Sequence, residues 1–222
     1  KTTGGKMMLL LHAPSIVPIK VSAGKDPEEQ IAEWVRDYCR RTEIRPEDFF
    51  HDSTGRGSLG TALARVWSAQ CNPVEFGGTP TTRPVSLDLF IWDYVTKRRR
   101  LKRCDEHYSK FVTELWFTIR YAIEAGQIRG LPEEMMEELC MREWSKVKGD
   151  KIEIESKVEM KERVGRSPDI GDLGSILLEG ARQRGFAVSK LGNAETEQRD
   201  NEWLKDLARS ATTHTAHELI YT

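Results

Sequence analysis

Short apolar runs alternate with longer amphipathic stretches along most of this chain, and that alternation restricts it to a sheet with helices packed on its faces. Residues 6–13 read as a buried strand. Residues 15–21 read as a second strand, and Pro14 and Pro18 assign it to an edge. Asp26-Pro27-Glu28-Glu29 is a helix start: an N-cap acid, a proline at the first helical position and acids in the first turn. That helix runs to about Arg41, with Ile31, Trp34, Val35, Tyr38 and Cys39 on one stripe. Phe49, Phe50 and His51 form a short strand ending at Asp52. Ser58 then caps a helix carrying Leu59, Leu63, Val66 and Trp67, and residues 73–76 form another strand.

The pattern weakens between about 79 and 110, where the run Lys97-RRRLK-Arg103 dominates, and this stretch reads as an irregular basic insertion or hairpin. Residues 109–125 predict a helix with Phe111, Leu115, Ile119, Ala122 and Ile123 inward, stopped by Gly126. Pro132 opens another, with Met135, Met136, Leu139 and Cys140 inward. Residues 152–154 read as a strand, and Asp169 to about Gln183 as a final helix ending near Gly185. Residues 187–222 turn polar and predict a tail with one short helix around 201–209.

With 222 residues and 38% hydrophobic content, the chain has material for one sizeable core. Its 31% charged residues balance to a formal net charge of −1, so any nucleic-acid footprint has to be local. Cys39, Cys71, Cys104 and Cys140 form no CxxC pair, which predicts reduced thiols and no structural zinc. The apolar run at 7–11 is too short to span a bilayer, so no membrane is expected. A chain opening on Lys1 reads as a piece of a longer protein.

The chemistry concentrates in two places. Between 151 and 172 a strand leads through Lys151, Lys157, Lys161, Arg163 and Arg166 to a Ser-Pro-Asp turn, where Asp169 and Asp172 sit three residues apart. Carboxylates hold hard divalent cations and basic side chains hold phosphate, so the pairing points to metal-dependent chemistry on a nucleic acid backbone. Far away in sequence, Asp52 ends an apolar run before Ser53-TGRG, whose glycines allow close backbone approach to a ligand. In sheets of this class, sites form at the carboxyl ends of strands. Each acid also has a structural reading: Asp52 as the start of an Asx turn, Asp169 and Asp172 as first-turn helix acids. The charge runs also read as solvated faces. No Walker A loop, no Ser–His–Asp arrangement and no histidine ligand set is present; His51 adjoins Asp52 but points to the other sheet face.

Three segments carry a family likeness: DSTGRG from Asp52, LPEEMMEEL from Leu131, and IEIESKVEMKERVGRSPDIGD from Ile152. Together they resemble the nuclease domain of large terminase subunits, the DNA-packaging motors of tailed bacteriophages. The resemblance spans about residues 5–186 and is weakest at 79–110. It implies an α/β, RNase H-like (retroviral integrase-like) fold, a central mixed sheet flanked by helices, over residues 1–186. It also implies a metal-dependent endonuclease that cuts concatemeric double-stranded DNA during genome packaging, using two divalent ions, Mg²⁺ or Mn²⁺. Asp52 and Asp169 would be catalytic metal ligands, with Asp172 assisting. Lys157, Lys161, Arg163, Arg166, Arg98, Arg99 and Arg100 would hold DNA. The implied partners are a terminase ATPase domain, which this chain lacks, the small terminase subunit and the portal or procapsid, in the cytoplasm of an infected bacterium.

The chain departs from the family at two places. The family's first acid precedes a glycine-rich turn; Thr3-Gly4-Gly5 looks like that turn, which places the acid upstream of Lys1. Gly171 and Gly174 stand where the family tends to have alanine, and they either permit close packing or loosen the site. Two other readings stay open: a resolvase-type nuclease on branched DNA, and a non-catalytic module that docks a portal or capsid protein.

Overall fold

A computed structural model of the chain describes residues 2–3, 6–7, 9–10, 16–54 and 58–190. The predicted helix at 201–209 and Gly4, Gly5, Gly55 and Gly57 lie outside the described residues. In chain order, the first strands are β1 (Thr2–Thr3), β2 (Lys6–Met7) and β3 (Leu9–Leu10). Helix α1 (Pro27–Arg41), strand β4 (Phe50–Asp52), helix α2 (Ser58–Val66) and strand β5 (Asn72–Val74) follow. The insertion supplies β6 (Phe90–Asp93), β7 (Arg98–Leu101) and the single turn α3 (Cys104–His107). Then come α4 (Phe111–Glu124), β8 (Ile128–Arg129), α5 (Glu133–Met141), β9 (Trp144–Val147), β10 (Lys151–Ile154), α6 (Lys157–Val164) and α7 (Asp169–Gln183).

The mixed α/β class holds. The described strands pair, however, as five two-stranded ladders rather than as one continuous central sheet. β4 and β5 are parallel and joined through α2, the βαβ arrangement that a parallel pair requires. β3 and β8 are also parallel, while β6–β7 and β9–β10 are antiparallel hairpins.

Helix α1 forms where its signals place it. The Asp26 carboxylate accepts from the Glu28 and Glu29 amides at 2.9 and 3.2 Å. Its Ala32, Val35 and Cys39 bury against Ala62 and Leu63 of α2. Residues 16–22 form no strand: Pro18 lacks an amide for a ladder, and Ile16, Val17 and Val21 stay exposed. Leu10 in β3 is also exposed rather than buried. The basic stretch 157–164 is a helix, α6. Its signal is a capping box, in which the Ser156 hydroxyl accepts from the Glu159 amide and the Glu159 carboxylate accepts from the Ser156 amide.

Helix α4 is buried on nearly every side, and it supplies residues to three of the four hydrophobic clusters: Trp116 and Phe117 to one, Ile119 and Ala122 to the next, Leu115 to the third. Ile123, expected inward, is exposed, because it falls on the narrow outer stripe that Arg120 and Glu124 occupy. On α5 the buried positions are Met135 and Glu138, so Met136 and Cys140 turn outward. The inward face is rotated because Glu138, an acid, has a bonding task at the core (below).

Helix α7 packs against α4, α5 and β4 through glycines. A Cβ at Gly171 would lie 2.9 Å from the Trp116 ring, at Gly174 3.0 Å from the Met135 sulfur, and at Gly180 2.9 Å from the Phe50 ring. Of the two roles open to Gly171 and Gly174, the structure selects close packing. The carboxyl half of α7 is fixed by charge. Arg182 pairs with Glu114 of α4, their side chains 4% and 0% exposed. Glu114 also accepts from the Thr81 amide and hydroxyl at 2.6 and 2.7 Å. Glu179 accepts from Arg83 at 2.8 and 3.0 Å and lies 3.5 Å from Arg182.

Two substitutions test these contacts by urea unfolding. Arg182→Met strands the buried Glu114 and is expected to cost about 3–5 kcal/mol. Gly171→Ala gains about 1 kcal/mol of helix propensity. Overpacking against the rigid Trp116 ring costs about 1–3 kcal/mol, so the variant is expected to be less stable than the parent.

Candidate functional site

The amino end of α7 has no side-chain cap of its own, since Pro168 holds the N-cap position. Glu138, reaching in from α5, accepts from the Ile170 and Gly171 amides at 2.8 Å each and satisfies two of the donors that every helix start leaves open. This acid positions the turn that carries Asp169 and Asp172, and the sequence reading missed it. The available signal was an acid three residues after Met135, on the stripe that faces the core.

The two aspartates have opposite environments. The Asp169 side chain is exposed and accepts a hydrogen bond from the Ser167 hydroxyl at 2.8 Å. The Asp172 side chain is 5% exposed. Lys157 stands 2.6 Å from Asp172 and 3.9 Å from Asp169, so one ammonium bridges both carboxylates. Arg142 lies 3.5 Å from Asp172, and the Trp116 indole donates to it at 3.4 Å. The Arg142 guanidinium stacks over Trp116, 4.7 Å from the ring centre, and donates to the Glu155 carbonyl. Burial raises the Asp172 pKa above the ordinary carboxylate value, with Lys157, Arg142 and Trp116 pulling it back. Burial likewise lowers the Arg142 pKa. Neither Trp116 nor Arg142 has a local motif to mark it.

Asp52 approaches the same region from the other side. His51 faces α2, where it meets Gly60, while Phe50 faces Gly180 of α7. Alternation along β4 therefore puts Asp52 on the α7 side. The strands also run toward the amino end of α7: Phe50 lies beside Gly180, while Val74, paired with Asp52, shares a cluster with Ile176. Asp52 accepts from the Thr54 amide at 2.7 Å, an Asx turn as its structural reading expects. The Thr54 hydroxyl accepts from the Phe76 amide at 3.1 Å, and the Phe76 ring lies 5.9 Å from the Lys157 ammonium. A chain of contacts thus joins Asp52 to the Asp169–Asp172 pair. Among the described residues, no three His, Cys, Asp or Glu side chains converge as a metal-binding group.

The basic residues differ in availability. Arg163 is engaged by Glu155, Glu143 and the Met141 carbonyl, and Arg166 by Glu137. Lys161 is exposed. Arg100 pairs with Glu106 and lies 3.3 Å from Asp93; Arg98 and Arg99 are exposed on the hairpin. Behind Trp116 and Arg142 lies an apolar groove of about 440 Å³ between α4, α5 and the β9–β10 hairpin, which does not include the aspartates.

No family model matches the chain, and no curated protein matches it. Among solved structures, it is similar to the nuclease domain of the large terminase subunit gp2 of bacterial virus Sf6, at 15% identity, covering 67% of this chain and 71% of that one, with a TM-score of 0.46. A mutant of that domain with manganese matches at 14% identity, 68% and 72% coverage and a TM-score of 0.45. A mutant with calcium matches at 14% identity, 68% and 71% coverage and a TM-score of 0.45.

The environment of Asp172 gives a titration test. A carboxyl whose folded pKa is raised favours the folded state most below its unfolded pKa, and loses that contribution as pH rises through the folded value. Lys157→Met removes the nearest opposing charge, so the Asp172 midpoint is expected to rise further in carboxyl-carbon NMR in EDTA. Stability should then fall more steeply from acid to neutral pH than in the parent.

Proposed function

We propose that this chain is a divalent-metal-dependent DNA endonuclease of RNase H-like design, the nuclease part of a viral large terminase that cuts concatemeric double-stranded DNA during packaging. One observation carries the reading. Asp52, at the carboxyl end of a parallel strand pair, faces the helix whose first turn presents Asp169 and Asp172, and Lys157 bridges those two acids. The most specific part of the sequence resemblance, residues 155–172, contains Lys157, Asp169 and Asp172.

The donor chemistry suits a hard cation. Asp52 and Asp169 offer carboxylate oxygens, and Mg²⁺ commonly takes only one or two protein carboxylates, with water and substrate phosphate completing its shell. This answers the lack of a three-acid cluster among the described residues. Two Mg²⁺ or Mn²⁺ ions would supply an activated water and charge stabilisation at the leaving oxygen. Within the chain, Lys157 and Arg142 hold Asp172 in place, Glu138 fixes the turn, and Asp169 stays open to solvent. Lys161, Arg98 and Arg99 are placed to hold phosphates without reading sequence. Arg163 and Arg166 would do so by exchanging their present carboxylate partners, and Lys157 and Arg100 through the part of each side chain that stays open to solvent beside its acids.

In this reading the partners are double-stranded DNA, a terminase ATPase domain, the small subunit and the portal or procapsid, in the cytoplasm of the bacterial host. No described helix is long and apolar enough to cross a membrane. A second reading, a non-catalytic module docking a portal or capsid protein, is favoured by the lack of a three-acid cluster among the described residues.

Nicking of supercoiled plasmid in Mn²⁺, Mg²⁺ and EDTA separates the two. Metal-dependent nicking is expected. Asp52→Asn and Asp169→Asn should each reduce it by at least the roughly 10–100-fold typical of losing a group that merely orients a metal ligand. No nicking and no metal binding would leave the docking module as the better account.

A further inference from the structure

The β6–β7 hairpin presents a row of large apolar side chains that are about half or more open to solvent. Tyr94 and Val95 at its tip are 85% and 92% exposed, and Trp92 and Phe90 on its outer face are 51% and 46% exposed. Cations interleave these rings. Arg99 pairs across the ladder with Trp92, and its guanidinium lies 5.1 Å from the centre of the Phe90 ring. Lys97, in the turn at the tip, is exposed and forms no ion pair among the described residues, while Arg98, across the ladder from Asp93, is exposed on the other face.

The platform is built rigidly. The Asp93 carboxylate accepts from the Val95 and Thr96 amides at 2.9 and 3.2 Å, closing the turn. On the inner face, Arg100 is held by Glu106 and Asp93. At the base, backbone bonds join Val85 to Lys102 and Lys102 to Leu89, each 2.9 Å. Of the two readings of this basic stretch, irregular insertion or hairpin, the structure shows a hairpin, anchored and with an aromatic side.

We infer that this hairpin is a binding platform for unpaired DNA, with bases stacking on Trp92 and Tyr94 and the backbone running along Lys97 and Arg99. The inference rests on the proposal that the chain acts on DNA, and it adds the form of DNA this surface takes. Cations alone would fit a duplex, whose bases are already stacked and offer no faces to a protein ring. An apolar protein partner would favour a contact centre poor in lysine. Rings alternating with cations on one short hairpin fit exposed base faces joined by phosphates.

The test is binding in EDTA, where no cleavage intervenes. Fluorescence anisotropy of the whole chain would be followed with a labelled oligothymidylate of about 16 nucleotides, a length that one such site can span, and with a duplex of equal length. The single strand should bind more tightly. Trp92→Ala with Tyr94→Ala should weaken it at least about fivefold, leave duplex binding unchanged and leave the unfolding midpoint in place, since both side chains are exposed. Trp92→Phe, which keeps a ring, should retain most of the affinity. Lys97→Gln with Arg99→Gln should weaken both forms and flatten the salt dependence. Tighter binding of the duplex, or full single-strand affinity in the double alanine variant, would overturn the inference. The readout is separate from nicking: binding that persists in Asp52→Asn would uphold the platform even if cleavage failed, and nicking with no loss in the alanine variant would uphold cleavage alone.

Discussion

Arg182 and Glu114 form an ion pair with almost no access to water, and the arrangement of the rest follows from it. Two charges in that position cost least when their remaining hydrogen-bonding capacity is used. Glu114 uses it on Thr81; Arg182 lies 3.5 Å from Glu179, which accepts from Arg83, and the Arg182 Nη1 itself has no hydrogen-bond partner among the described residues. The buried pair therefore fastens α4 to α7 and also fastens residues 81–83, the root of the hairpin insertion, to both helices. Its role is orientation: an apolar contact would tolerate sliding, whereas a buried pair with directional partners does not. Cys104, beside these charges, has its thiol pushed up to about 12, chiefly by burial, and is inert packing.

The same helix is shaped for close approach along its length. Gly171, Gly174 and Gly180 remove the side chains that would hold Trp116, Met135 and Phe50 at a distance. Phe50 against Gly180 sets the height of β4 on α7, and so determines that Asp52, two residues on along that strand, points toward the start of the helix. Trp116 against Gly171 brings the indole within reach of Asp172. The glycines that weaken helix propensity are thus part of what assembles the acids.

The local signals were strong where a residue acts on its own neighbours. The Asp26 cap, the Pro27 start and the helix from Asp169 to Gln183 follow from short-range hydrogen bonding and period, and they appear at those positions. The capping box at Ser156 was equally local and was passed over because its helix is rich in charge. The inward faces of α4 and α5 were partly misassigned. Their buried positions include Glu114 and Glu138, and an acid directed into the core by a distant arginine or a foreign helix end breaks the apolar stripe that sequence reading follows.

By itself the sequence determined the mixed α/β class, most helix boundaries and the identity of the acids at the ends of β4 and α7, because caps, prolines and periodicity act within a few residues. The tertiary structure alone decided that Glu138 caps α7, that Trp116 and Arg142 enclose Asp172, that Lys157 bridges two carboxylates and that Glu106 and Asp93 anchor the basic hairpin through Arg100. Those outcomes depend on contacts between residues of different elements, and the free energy of such a contact is set by burial and geometry that no local pattern encodes.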